Sequence, residues 1–173
     1  MLRTVRKTNI VLIGMPGVGK STVGVLLAKV TSRGFLDTDV HIQVREGQPL
    51  QEILDKVGSE AFCSLEERHL LSINCRNSVI ATGGSAVYSR AAMEHLRTDG
   101  VVVFLDIPYA ELESRVLHLG SRGVVMGPGQ TLTQLYEERV PVYRRYGDVR
   151  VPCGGLDHEQ VVRAVLALLG EGV

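Results

Sequence analysis

The chain has 173 residues, 45% of them hydrophobic and 22% charged, which excludes a disordered or fibrous protein and fits one compact domain. Nineteen Lys and Arg balance 19 Asp and Glu, so no global positive field exists to hold nucleic acid or an anionic membrane, and any phosphate site must be local. No apolar run reaches the roughly 20 residues of a bilayer span, Met1–Lys7 leads into a strand-like segment instead of a signal core, and Cys63, Cys75 and Cys153 lack zinc-motif spacing; a cytoplasmic monomer with free thiols and no nucleic-acid or membrane partner is expected.

Asn9–Ile13 is a short apolar run ending in a glycine-rich turn, and Lys20–Arg33 carries Val23, Leu26, Leu27 and Val30 at helical spacing, so a strand, a loop and a helix are predicted. Phe35 and Leu36 form a second apolar step before Asp37-Thr38-Asp39. From there to Asn74 the pattern is helical, with breaks near Gly47–Pro49 and at Gly58. Ser78–Thr82 and Gly100–Leu105 are near-continuous apolar runs of the kind that strands buried on both faces of a parallel sheet require. Leu119–Gln130 is rich in glycine and poor in apolar anchors, which predicts a mobile lid between two helices. Val149 and Val151 suggest a last strand, and Asp157 is placed to cap a core-facing helix through Leu169. Strands alternating with helices imply an α/β fold with right-handed crossovers.

Gly14-Met15-Pro16-Gly17-Val18-Gly19-Lys20-Ser21 matches G-x-x-x-x-G-K-[ST] and lies between the first strand and its helix, where that motif has to lie. Its glycines let backbone N–H groups turn inward around a phosphate at a helix N-terminus. Lys20 would reach the β- and γ-phosphates, and Ser21 would offer its hydroxyl to Mg²⁺. The glycine spacing is not that of a dinucleotide fold, which excludes NAD. Asp55-Lys56-Val57-Gly58 has the D-x-x-G pattern of a GTPase but sits at a helix end, and no N-K-x-D for guanine occurs; a small-molecule kinase is the class that remains.

The P-loop, Phe35-Leu36-Asp37-Thr38-Asp39, Ala81-Thr82-Gly83-Gly84-Ser85-Ala86-Val87 and Glu138-Arg139-Val140-Pro141-Val142-Tyr143-Arg144 together resemble the shikimate kinase family, in order and spacing, over nearly the whole chain. The resemblance implies a three-layer P-loop fold with a five-stranded parallel sheet in order 2-3-1-4-5. It implies a single kinase domain over 1–173 with a helical substrate-binding insertion at 38–74 and a lid at 119–130. The activity implied is ATP-dependent transfer of the γ-phosphate to the 3-hydroxyl of shikimate, a step of aromatic amino acid biosynthesis, with Mg²⁺. Gly14, Gly17, Val18, Gly19, Lys20, Ser21, Thr22, Arg115 and Arg122 would bind ATP, with Arg115 packing on adenine and Arg122 delivered by the lid. Ser21 and Asp37 would hold the metal, and Gly83, Gly84, Ser85, Arg139 and Asp39 the acceptor. Lys20, Asp39 and Arg122 would carry the catalysis. An ionised carboxylate only accepts hydrogen bonds, so Asp39 can orient a hydroxyl and take its proton late in the reaction. The planar fork of Arg139 suits a carboxylate. Helix capping is an alternative use for the acid pair, a surface ion pair for Arg139, and an exposed helix position for Arg115.

The chain departs from the family pattern in three places. Cys63 follows Phe62 where the family carries a second carboxylate-binding arginine, and Arg68 lies on the wrong face of an ideal helix to replace it. Ser85 stands where the family has a third glycine, and Gly123-Val124-Val125 replaces a proline and leucines after Arg122. A kinase of the same fold for a different hydroxylated molecule, a nucleotide-binding protein without transfer, and a nucleoside monophosphate kinase are the alternatives. The five histidines show no metal-ligand spacing.

Overall fold

A computed structural model describes residues 7–119, 124–127 and 129–170. Five strands, β1 (Asn9–Ile13), β2 (Gly34–Asp37), β3 (Ser78–Ala81), β4 (Gly100–Asp106) and β5 (Val149–Pro152), form one parallel sheet in the order β2-β3-β1-β4-β5, as expected. Every residue of β1 and β3 is buried, which is why their sequences are apolar without alternation. β2 lies at the sheet edge and leaves Phe35 exposed.

Among the described residues seven α-helices flank the sheet: α1 (Lys20–Thr31), α2 (Thr38–Glu46), α3 (Leu50–Leu71), α4 (Arg90–Asp99), α5 (Tyr109–Leu119), α6 (Leu132–Tyr146) and α7 (His158–Leu169). α1 packs on α7, and α3 on α4. α1 stops two residues earlier than its periodicity suggests, because Ser32 turns left-handed and its N–H folds back onto Ala28 and Lys29. The insertion is two helices. Their break falls at Gly47–Pro49, and a kink inside α3 at Gly58 has φ 77° and ψ 168°, which a side chain would resist. Asp157 caps α7 in a reciprocal pair with Gln160, as predicted, and Thr131 does the same for α6 with Gln134.

The main core spans the sheet and its flanking helices. A second, smaller core joins Ile42, Leu50, Ile53 and Phe62 of the insertion to Val125. Val125, within the predicted lid 119–130, is therefore anchored on the insertion. Val125 is 7% exposed, and Met126 carbonyl accepts from Ser59 Oγ. A valine in a glycine-rich stretch has no periodicity of its own, so its partner on another element could not be read from sequence.

Candidate active site

The carboxyl ends of β1, β2 and β3 open into one cleft of about 760 Å³, lined by the P-loop, Asp39, Thr82, Gly84, Arg115 and the segment Leu156–His158. This is where parallel sheets place their ligands. The P-loop fits there because Gly14, at φ 148°, passes so close to β4 that a Cβ would lie 2.6 Å from Leu105 carbonyl. Gly19, also left-handed, precedes α1 and leaves the helix N-terminus facing the cleft. Val18, Ser21 and Thr22 follow that turn: Val18 is buried beneath it, while Ser21 and Thr22 line the cleft.

Lys20 is 8% exposed, and its Nζ donates to the carbonyls of Gly14 at 2.7 Å and Met15 at 3.0 Å. Burial brings its ammonium down to about 8, with Asp39 opposing the shift. Ser21 Oγ donates to Asp37 Oδ2 at 2.5 Å, while Asp37 Oδ1 accepts from the backbone N–H groups of Asp39 and Val40. Asp37 thus caps α2 with one oxygen, the alternative use expected of it, and keeps the other beside Ser21. The half-buried Asp39 sits in the first turn of α2, and burial together with Asp37 raises its carboxyl to about 6.

Gly83 and Gly84 follow β3. The Gly83 N–H is taken by Thr38 Oγ1 at 3.0 Å. A Cβ on Gly83 would strike Asp39 Oδ1 at 2.6 Å and Glu66 Oε1 at 2.5 Å, and one on Gly84 would meet Arg139 Nη1 at 3.0 Å. The two glycines therefore let both carboxylates and the guanidinium crowd the same turn.

Arg139 is 1% exposed, not a surface ion-pair residue. Its Nε donates to Tyr88 hydroxyl at 3.0 Å and its Nη2 to Val125 carbonyl at 2.5 Å. Nη1, on the Gly84 side, has no partner among the described residues. Arg115 reaches the cleft rim, with Nη1 on Val18 carbonyl and Nη2 on Glu111 Oε1 at 2.5 Å, so it is not simply an exposed helix residue. Arg122 lies outside the described residues.

Ser85 differs from expectation. Its side chain adds no free hydroxyl to the cleft: it is 5% exposed, and Oγ donates to Glu66 Oε2 at 2.6 Å. Glu66 was not singled out in the sequence. It is 2% exposed, and burial raises its carboxyl to about 7, with the Ser85 bond opposing the rise. The one signal available was a glutamate on the same face of α3 as Phe62, whose burial its polarity concealed. Tyr143, whose hydroxyl donates to Gly84 carbonyl at 2.6 Å, and His158, which packs against Gly19, were also missed. Cys63 is a half-buried free thiol. It lines a separate cavity of about 220 Å³ with Glu66 and Ser85, and burial and Glu66 push its thiol up, which disfavours the thiolate. Arg68 donates to Ser64 carbonyl and faces another groove, so it does not replace a guanidinium at position 63. No helix of the described residues is long and apolar enough to cross a membrane.

Known proteins resemble this chain in sequence and fold. The sequence model of the family described as shikimate kinase matches residues 16–169. The shikimate kinase of Thiobacillus denitrificans is 36% identical over 84% of this chain and 81% of its own length, and that of Gloeobacter violaceus is 38% identical over 94% and 95%. Among solved structures, shikimate kinase from Acinetobacter baumannii in complex with shikimate superposes with a TM-score of 0.84 at 30% identity, covering 94% of this chain and 92% of that one. With the family model spanning most of the sequence and relatives covering it nearly end to end, the chain belongs to the shikimate kinase family, ATP-dependent kinases that phosphorylate an alcohol.

Proposed function

We propose that this protein transfers the γ-phosphoryl group of ATP to the 3-hydroxyl of shikimate. The observation that carries the proposal is the meeting of Asp39 and Arg139 at the Gly83–Gly84 turn, beside the cleft that Lys20 and Asp39 line at the carboxyl ends of the strands. Lys20 at the start of α1 supplies positive charge to the phosphates, as phosphoryl transfer needs far more than covalent help. Arg115 flanks the nucleotide, and Arg122 adds charge from the lid. Asp39 accepts a hydrogen bond from the acceptor hydroxyl. Arg139 offers Nη1, and Nη2 on release of Val125 carbonyl, to the acceptor carboxylate as a planar fork. The adjoining hydroxyl of Ser21 and carboxylate of Asp37 form an oxygen-only pair beside the phosphate loop, which suits Mg²⁺. Bound there, Mg²⁺ would neutralise charge on the β- and γ-phosphates.

A coupled ADP-release assay with ATP, Mg²⁺ and shikimate tests the proposal. Saturable release that depends on shikimate is the expected result, and release that shikimate never stimulates, alongside ATP binding, overturns it. A second acceptor is favoured by one observation: Cys63 contributes no cation to the acceptor side of α3. If shikimate is the acceptor, Cys63→Arg should lower its KM by about tenfold, the scale of one hydrogen bond to a charged group. A KM that does not move would assign the pocket to a different hydroxylated molecule.

A further inference from the structure

Beside the Gly83–Gly84 turn stands a buried acid, Glu66, that the roles above leave unused. Ser85 Oγ donates to Glu66 Oε2 at 2.6 Å, and that hydroxyl is Glu66's hydrogen-bond partner among the described residues. The serine is itself fixed, because its carbonyl accepts from Tyr88 N–H at 2.9 Å and it opens the short 3₁₀ turn Ala86–Tyr88. With Oε2 tethered, Oε1 points to Gly83, where it and Asp39 Oδ1 flank the same point at 2.5 and 2.6 Å. Among the described residues no lysine or arginine lines the 220 Å³ cavity that Glu66 and Ser85 share with Cys63, so on that side the Ser85 hydroxyl holds the carboxylate.

We propose that Ser85 is a positioning residue of the acceptor site, holding Glu66 so that its free oxygen stands beside Asp39 as a second acceptor for ring hydroxyls. Two carboxylates on either side of one glycine match a vicinal diol: one takes the hydroxyl that is phosphorylated and the other takes its neighbour. A buried hydrogen-bond acceptor left without its donor is costly, so an acceptor lacking the second hydroxyl binds less well. The inference rests on the acceptor reading above and adds how that acceptor is chosen.

The groups facing Glu66 are Asp39 from α2, Lys20 from α1, Arg139 and Tyr143 from α6, and Cys63 on its own helix. Burial and Asp39 favour the protonated acid, while the Ser85 hydroxyl, Arg139 and Lys20 favour the carboxylate. Ser85→Ala removes the hydroxyl and leaves the burial, so Glu66 should take up a proton at higher pH.

The test combines kinetics with ¹³C NMR titration of labelled glutamate in the full chain, the Glu66 resonance being identified by its loss in Glu66→Gln. In Ser85→Ala the Glu66 midpoint should rise by about one pH unit, and the KM for shikimate at pH 7 should rise about tenfold, with the KM for ATP unchanged. Ser85→Thr, which keeps the hydroxyl, should restore both values, and Ser85→Ala should add nothing in a Glu66→Gln background. A midpoint that stays in place, a KM for shikimate that stays in place, or equal effects of Ser85→Ala with and without Glu66 each overturn the proposal. If shikimate fails as a substrate of the unsubstituted enzyme, the function proposed above falls, while the carbon titration still decides whether Ser85 governs Glu66.

Discussion

Lys20→Met is expected to lower kcat by about 10²–10³-fold, the cost of removing one preorganised donor from developing transition-state charge, and to weaken ATP binding as well. The methylenes of methionine preserve the packing of a side chain that is 8% exposed, so circular dichroism and thermal melting should remain close to those of the unsubstituted protein. Lys20→Arg is no conservative control: a planar fork cannot follow the compact ammonium between Gly14 and Met15 carbonyls. The titration of Lys20 adds a pH signature. Its free-state value is brought down to about 8 by burial, and ATP prefers the charged form. Affinity should therefore be flat below pH 7 and fall as pH rises through 8, with proton uptake on binding in that upper range. Calorimetry of ATP binding at pH 8.5 in buffers of different ionisation enthalpy reads that proton directly. Full ATP affinity in Lys20→Met, or no proton uptake at pH 8.5, would remove Lys20 from the phosphate site.

Much of this molecule is legible in the sequence where a local rule and the final packing agree. The P-loop is such a case, since the glycines needed for left-handed turns, the lysine and the serine are consecutive, and the apolar run before them could only be a buried strand. The capping of α7 by Asp157 and the kink at Gly58 are others, because each is set by one residue and its backbone. What stayed hidden depends on contacts between distant segments. Glu66 reads as one more polar residue on a helix, and the Ser85 hydroxyl that pairs with it comes from another element, 19 residues away. Arg139 allowed both a surface and a site reading until Tyr88 and Val125 carbonyl enclosed it. Val125 seemed part of a loose lid because the apolar partners that bury it belong to α2 and α3. Substitution at Cys63 was visible at once. That the local acid was held by a serine on another element was not, since hydrogen bonding between elements leaves no periodicity.

Asp39→Asn carries the other large effect: kcat should fall by about 10²–10⁴-fold, the range for a positioned base, while ATP affinity at pH 7 stays near that of the unsubstituted enzyme. The amide has the same shape but presents donors where the acceptor hydroxyl must donate, and it cannot take up the proton. The pH profile separates this loss from simple misfolding. Burial and the neighbouring Asp37 raise Asp39 to about 6, and the ionised form is the competent one. Turnover of the unsubstituted enzyme should therefore climb as pH rises through 6 and level off above it. Glu66, raised to about 7 and itself pushed up by Asp39, shares that acid limb, so the rise belongs to the pair and should be broad. Asp39→Asn removes one titration and also the negative charge that hinders Glu66 from ionising. Its residual activity should show a single limb at lower pH than that of Glu66 in the unsubstituted protein. A variant that retains kcat, or a residual profile with both titrations intact, would mean that the proton leaves the acceptor by a route that does not involve Asp39.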